Sequence, residues 1–543
     1  MPGQARSSGR GRPHRPSRPL SATAIPGSQE RIAWLLRVNR RYGKTGRDVR
    51  LATFAADLTD AGCPVTSGQI SRWESGSVPV PHRAVATYEK VLGLPHNSLV
   101  TVVDGVYRIR TARPAPSRLA REVRPDDPVS RARAEDLLDG ALFGGSMSGA
   151  DWDELTVLLT SFTNVVMPSR LWDALAQRLL REQLISDGDF WRQRSESTHR
   201  LLWLPVSRPH VIAASAAVVR DPASQIVVEP LAILDVVDDP AAAELLVAQL
   251  ADPANERALL GALLAGATKV RHRQFNPVQL RKVTTAVLDL LTDTSWSAAV
   301  RPLAGQLLGQ LPPESRAEAV RRLRATFAGD PALATAVTGG PASDDGRSRV
   351  VVNRITAWVL SRTAAYVDDT PDQLLTGVID EMLFSASSDV RLHAAQLAGA
   401  TPFRQDLADA CCAELRKPAV ARDPALAATL LEALPFVAGP DHRPVVEMLV
   451  TAPGLPAATA SSAARSIAHL PGSSSDLFWT TALQRRRSQP GAYLRGLVYA
   501  LGIAGQQAWL TCISQDVSFP AEARTAARWW SNLPASLTRD ARH

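Results

Sequence analysis

Five segments in the C-terminal part of the chain share one pattern of small and apolar residues closing on a bulky one. They are His393-Ala394-Ala395-Gln396-Leu397, Ala427-Ala428-Thr429-Leu430-Leu431, Ala463-Ala464-Arg465-Ser466-Ile467, Arg495-Gly496-Leu497-Val498-Tyr499 and Ala526-Ala527-Arg528-Trp529-Trp530. Their last residues lie 34, 36, 32 and 31 positions apart, with a second apolar segment between, such as Val445 to Val450 or Phe478 to Leu483. That period with two helices per unit predicts stacked helical hairpins, because one hairpin leaves an apolar face that only its neighbour can cover. Asp239-Pro240 and Asp423-Pro424 carry matching punctuation, which puts the start of the stack near Val227 or earlier. An Ala/Leu-rich composition also imitates such a period, so a non-repeating helical domain stays open as the alternative.

Near the other end, Phe54-Ala55-Ala56-Asp57-Leu58 is followed by a polar stretch with Gly62 and Pro64. Then comes Thr66-Ser67-Gly68-Gln69-Ile70-Ser71-Arg72-Trp73-Glu74-Ser75-Gly76. The spacing predicts two short amphipathic helices joined by a turn. The second buries Ile70 and Trp73 and turns Ser67, Gln69, Ser71 and Arg72 outward, a face that fits a DNA major groove. Gln29 to Tyr42 reads as a helix with Ile32, Leu35, Leu36 and Asn39 inside and Arg37, Arg40 and Arg41 outside. His82 to Leu94 reads as another, burying Val85, Tyr88, Val91 and Leu92.

Ala55, Thr66, the run Ile70-Ser71-Arg72-Trp73-Glu74-x-Gly76 and Leu92-Gly93-Leu94 together resemble the Cro/repressor-type (Xre) helix-turn-helix domain, over roughly residues 28 to 108. The resemblance implies a unit of four or five helices that dimerises on a two-fold DNA site. It also implies base reading at Ser67, Gly68 and Arg72, with Thr66 and Gln69 on phosphates or adjacent bases and Ser71 on the same face. Arg72 has the chemistry to bond both acceptors of a guanine, and phosphate contact is its plainer role. Gly68 offers only close approach. Glu74 matches the family's acidic residue that pairs with an arginine of the first helix, Arg37 or Arg40. Thr59 to Val65 is longer than the family's turn, so contact positions carried across it can slip by one. The hairpins, for their part, resemble HEAT-type α-solenoid repeats.

Charge agrees with a DNA-binding end. Residues 1 to 110 hold 17 Lys or Arg against 7 Asp or Glu, a balance of +10 in a chain whose net charge is +8. Phosphate neutralisation requires such a bias. Residues 1 to 27 contain five arginines, five prolines and no acid, a composition that cannot bury a core and is expected to be disordered. Within them Gly9-Arg10-Gly11-Arg12-Pro13 resembles an AT-hook core, which implies Arg10 and Arg12 in a narrow minor groove; non-specific phosphate contact is the alternative. The expected organisation is a tail (1–27), a reader (28–110), a Pro-rich linker (111–128), a helical region that begins the stack (129–226) and a solenoid (227–543). The fold class is therefore all-α.

Nothing in the sequence proposes catalysis, a cofactor or a metal. Gly43-Lys44-Thr45 lacks the upstream glycine of a phosphate loop, where Val38 stands, and none of the ten histidines sits four residues from another. Gly144 to Gly149 lacks the spacing of a nucleophile elbow. Cys63, Cys411, Cys412 and Cys512 form no C-x-x-C pair, which suits free thiols in a reducing cytoplasm. Gly496 to Gln515 is uncharged but broken by Gly502, Gly505, Gln506 and Gln507, and reads as a helix pair with a turn instead of a membrane span. Trp152, Trp172, Trp191 and Trp203 read as core. Gly339 to Arg347 reads as a surface loop. The clusters Lys269, Arg271, His272, Arg273 and Arg485, Arg486, Arg487 read as solvated helix ends, with nucleic-acid contact the alternative.

These features predict a cytoplasmic, nucleoid-associated, sequence-specific regulator that binds double-stranded DNA as a homodimer. By analogy with peptide-sensing regulators, its solenoid would take a peptide, a small molecule or a protein. The alternative is a protein-interaction scaffold merely anchored to DNA by its N-terminal domain.

Overall fold

The computed structural model describes residues 27–43, 50–110, 127–326, 345–362, 373–485, 489 and 491–541, except 163, 222, 294, 297, 298 and 386. Every regular element among them is helical. The tail with Arg10 and Arg12, Lys44 and Thr45, most of the linker, most of Gly339 to Arg347, and Arg486 and Arg487 lie outside the described residues. At two of these edges the expectation needs correction. Asp127 and Pro128 are the cap and first residue of a helix, and Asp345 opens another that runs to Arg362.

Five helices form the N-terminal unit: α1 (Ser28–Tyr42), α2 (Leu51–Asp60), α3 (Ser67–Glu74), α4 (His82–Leu92) and α5 (Ser98–Arg110). Ile32, Leu35, Leu36, Phe54, Leu58, Ile70, Trp73, Val85 and Tyr88 fill its core, and Phe54 meets Tyr88 edge-on at 4.7 Å. Val91 is only partly covered. The N-terminus of α5 is capped from a distance, since the Glu89 carboxylate accepts the backbone N–H of Asn97, Leu99 and Val100 at 2.9, 2.6 and 2.9 Å.

From Pro128 onward many of the described helices pack on the next but one, and some also on the next. Thus α6 (Pro128–Leu142) touches α7 (Gly149–Ser161) and α8 (Ser169–Ile185), α7 touches α9 (Gly188–Trp203), and α8 touches α10 (Arg208–Arg220). The same alternation continues through Pro240–Ala251, Glu256–Arg271, Pro277–Thr292 and Val300–Gln310. Side-by-side packing of alternate helices therefore starts well before Val227. The Asp-Pro punctuation is helix capping: the Asp239 carboxylate accepts the N–H of Ala241 at 2.9 Å, that of Asp423 the N–H of Leu426 at 3.2 Å, and proline takes the first helical position. Trp152 and Trp172 are buried, whereas Trp191 and Trp203 are half-covered.

In the C-terminal run the five recurring segments lie on Ser388–Gly399, Pro424–Val437, Ala457–Ser466 with its short 3-10 extension, Gly491–Ile503 and Ala521–Ser531, which lie side by side in that order. This run folds back on the first run of helices, residues 128–310. Thr268 Oγ1 donates to Asp389 at 3.2 Å, His469 Nδ1 lies 3.4 Å from Asp187, and Arg178 is 3.1 Å from the Asp540 carboxylate. The Arg194 guanidinium also donates to the Asp540 carbonyl. Lys269 is fully buried here, its ammonium donating to the Val237 carbonyl and to Gln274 Oε1, so it is no solvated helix end and cannot touch nucleic acid.

Candidate nucleic-acid interface

Two turns set α3. At the end of α2 the Cys63 N–H bonds the Leu58 carbonyl at 2.8 Å and the Gly62 N–H bonds Thr59 at 3.0 Å, with Gly62 at φ +98°. This is a left-handed helix stop, which only glycine adopts without strain, and it absorbs the extra residues of the long turn. At the end of α3 the Ser77 N–H reaches the Arg72 carbonyl and the Gly76 N–H reaches Trp73, with Gly76 at φ +72°. The start is fixed by a reciprocal cap. Thr66 Oγ1 accepts the Gln69 N–H at 3.2 Å, while Gln69 Oε1 accepts the Thr66 N–H at 2.9 Å.

All six expected residues of this region gather on one short helix and its cap. Thr66, Ser67, Gly68, Ser71 and Arg72 are exposed and Gln69 is half-exposed, while Ile70 is 0% and Trp73 8% exposed. Among the described residues, none of the helical arrays covers this flank. The Gln69 carboxamide oxygen is committed to the cap, so its amide nitrogen alone is left to donate outward. The Arg72 guanidinium reaches no partner among the described residues and is the longest cationic arm on the face.

Beneath, α3 is bolted to α1. Arg40 Nε and Nη2 donate to the two Glu74 carboxylate oxygens at 2.7 and 2.8 Å, and Arg37 Nη1 donates to the Glu74 carbonyl at 3.2 Å. Both arginines left open by the sequence thus engage Glu74, one at the side chain and one at the helix end. Arg40 is buried, which corrects its placement on the outer face. Tyr88 donates to the same carboxylate at 3.2 Å, and burial followed by the Glu74 charge pushes the Tyr88 phenol well above its ordinary value.

The basic excess of the first 110 residues is not spread over this surface. Arg31, Arg40 and Arg108 are spent in ion pairs with Glu381, Glu74 and Glu196, and α2 exposes Asp57 and Asp60. Among the described residues the exposed cations here are Arg50, Arg72, Arg83 and Lys90, and five arginines of the first 110 residues belong to residues 1–26. The resemblance names Arg40 as one of two partners for Glu74, but the sequence offers no sign of the Arg31 and Arg108 pairs; only Asn39, polar on an apolar stripe, hints that α1 has a second partner.

Among the described residues no group of three or more His, Cys, Asp or Glu is placed to hold a metal, and no helix is long and apolar enough to cross a membrane. No protein-family model and no curated protein matches the chain. Among solved structures it is similar to an engineered protein from the Northeast Structural Genomics Consortium, at 14% identity, covering 74% of this chain and 98% of that one, with a TM-score of 0.21. So low a TM-score carries no argument about fold or function.

Proposed function

We propose that the chain is a sequence-specific DNA-binding regulator, in which an Xre-like helix-turn-helix reader is carried on a HEAT-like α-solenoid. The observation that carries this reading is the two-sided character of α3: Ser67, Gly68, Ser71 and Arg72 stand in solvent while Ile70 and Trp73 anchor the helix. A helix held this way can lie in a major groove, with Arg72 reaching a guanine edge and the Thr66 and Gln69 end near phosphate. The reader works as a homodimer on a two-fold site in the cytoplasm, and the solenoid receives the effector or protein partner.

The scaffold reading keeps one observation in its favour. Gly68 has no side chain and Gln69 is half-spent in the cap, which leaves few groups to discriminate bases. Selection of preferred duplexes from a random pool with the purified full-length chain separates the two. A reader enriches a defined site and holds it with an advantage of about 10³-fold or more over random duplex as salt rises. An anchor enriches nothing and loses its binding with salt.

A further inference from the structure

We propose that the C-terminal run of helices governs the DNA contact by gripping α1, so that displacement of its Glu381–Phe403 surface repositions α3. This rests on the reader assignment made under Proposed function. The geometry behind it is a helix with two working stripes. Along one stripe, Arg31 pairs with Glu381 at 2.5 Å, Trp34 and Tyr42 face the Phe403 ring at 6.4 and 5.8 Å, and Asn39 Nδ2 donates to the Ala400 carbonyl at 2.9 Å. Along the other, Ala33 lies beside Gly76, and Arg37 and Arg40 hold Glu74. The two sets interleave at helical spacing on the same 15 residues, so they turn and shift together.

The other run also holds the reader, through α5 and the residues just before it. Arg108 on α5 pairs with Glu196 on α9, Asn97 Nδ2 donates to Asp153 on α7 at 2.7 Å, and Gln193 on α9 donates to the His96 carbonyl at 3.0 Å. The reader therefore bridges both runs: α1 is held by the second, while α5 is bonded to the first and also packs on the second, where Gly105 lies beside the His393 ring. The runs meet each other through side-chain contacts such as Thr268 with Asp389 and His469 with Asp187. A ligand or partner that slides one run past the other pulls α1 against the bonds that tie the reader to the first run, and α3 follows α1 because its C-terminal end is tied there by three bonds from two arginines. Where Arg31 of α1 and Val106 of α5 meet Glu381, His393 and Leu397 lies a cavity of about 20 Å³, the size of one water.

The test uses the full-length chain carrying Glu381→Arg, Arg31→Glu, both together, or Phe403→Ala. Hydrogen exchange is followed segment by segment without DNA, and affinity is measured for the duplex selected by the wild-type protein. Each single change is expected to speed exchange in both α1 and α3 at least tenfold, to leave Pro424–Val437 to Ala521–Ser531 unchanged, and to alter duplex affinity at least fivefold. The paired charge swap is expected to restore both readouts. Glu381→Gln, which removes only the charge, takes the place of Glu381→Arg if that variant loses its helical signal. Loosening of α1 with α3 exchange and duplex affinity at wild-type values overturns the inference. A wild-type chain that selects no duplex overturns the reader assignment instead, while the exchange data still decide whether α3 follows α1.

Discussion

Arg40 and Glu74 meet through two bonds of 2.7 and 2.8 Å with side chains only 7% and 5% exposed, and this pair joins the end of the outward-facing helix to the core of its unit. A guanidinium fork matches a carboxylate in a way that a lysine cannot. Arg40→Gln leaves a buried carboxylate without its countercharge, and breaking such a pair costs about 3–5 kcal/mol. Urea denaturation combined with exchange in α3 checks this. Arg40→Lys should fall between the two, and replacing both residues by methionine should recover most of the loss.

Two carboxyls should make stability fall as pH rises. Burial pushes Glu89 up to about 7 in spite of its three backbone donors, and burial with the neighbouring Asp389 charge pushes Asp235 up to about 7. Both are protonated in the folded chain at pH values where the unfolded chain has already lost those protons. Their stabilising effect is complete below the unfolded values near 4 and is lost as pH climbs to 7, by at most about 1.4 kcal/mol per pH unit for each group. Urea midpoints at pH 5, 6 and 7 should decline, and Asp235→Asn should flatten that decline. A midpoint that rises steadily across the window would contradict this.

Gly502 lets two helices of the C-terminal run approach closely. A methyl group there would stand 2.0 Å from the Trp530 ring, itself only 3% exposed. Gly502→Ala is therefore an overpacking change costing at least about 1–3 kcal/mol. Its effect should stay local, speeding exchange over residues 491–531 and sparing α1 to α5, because stacked units couple mainly to their neighbours.

What the sequence revealed depended on whether the signal was local. The closing residues Leu397, Leu431, Ile467 and Trp530 are buried, and they were legible because the same apolar pattern recurs at a near-constant period. Ile70 and Trp73 were legible from spacing alone. In α6 to α10 the stacking was hidden, since much of its sealing is polar: Glu182 binds Arg178 and Arg194, and Asp540 returns from the end of the chain to meet Arg178. Buried cations were the other blind spot. Lys269 sits in a basic cluster of the sequence, and only the fold brings the Val237 carbonyl to it. The seam between α1 and Glu381 spans 350 positions, a separation at which no local pattern speaks.

The tail and the reader should separate in binding assays. Residues 1–27 hold five arginines and no acid, whereas the α3 face presents a single guanidinium. Removing the tail should weaken binding evenly across sequences and lower the salt dependence, by about 0.9 in log–log slope for each phosphate that the tail neutralises. Disappearance of sequence preference on truncation alone would move the reader away from α3.

The most direct measurement is the base preference of wild-type and Arg72→Ala protein, read position by position from a random duplex pool. If the outward face of α3 reads bases, the variant keeps the rest of the site and relaxes at one base pair, by about 1–3 kcal/mol. An unchanged preference at every position, or a uniform weakening across all sequences, would contradict the assignment of α3 as the reading helix.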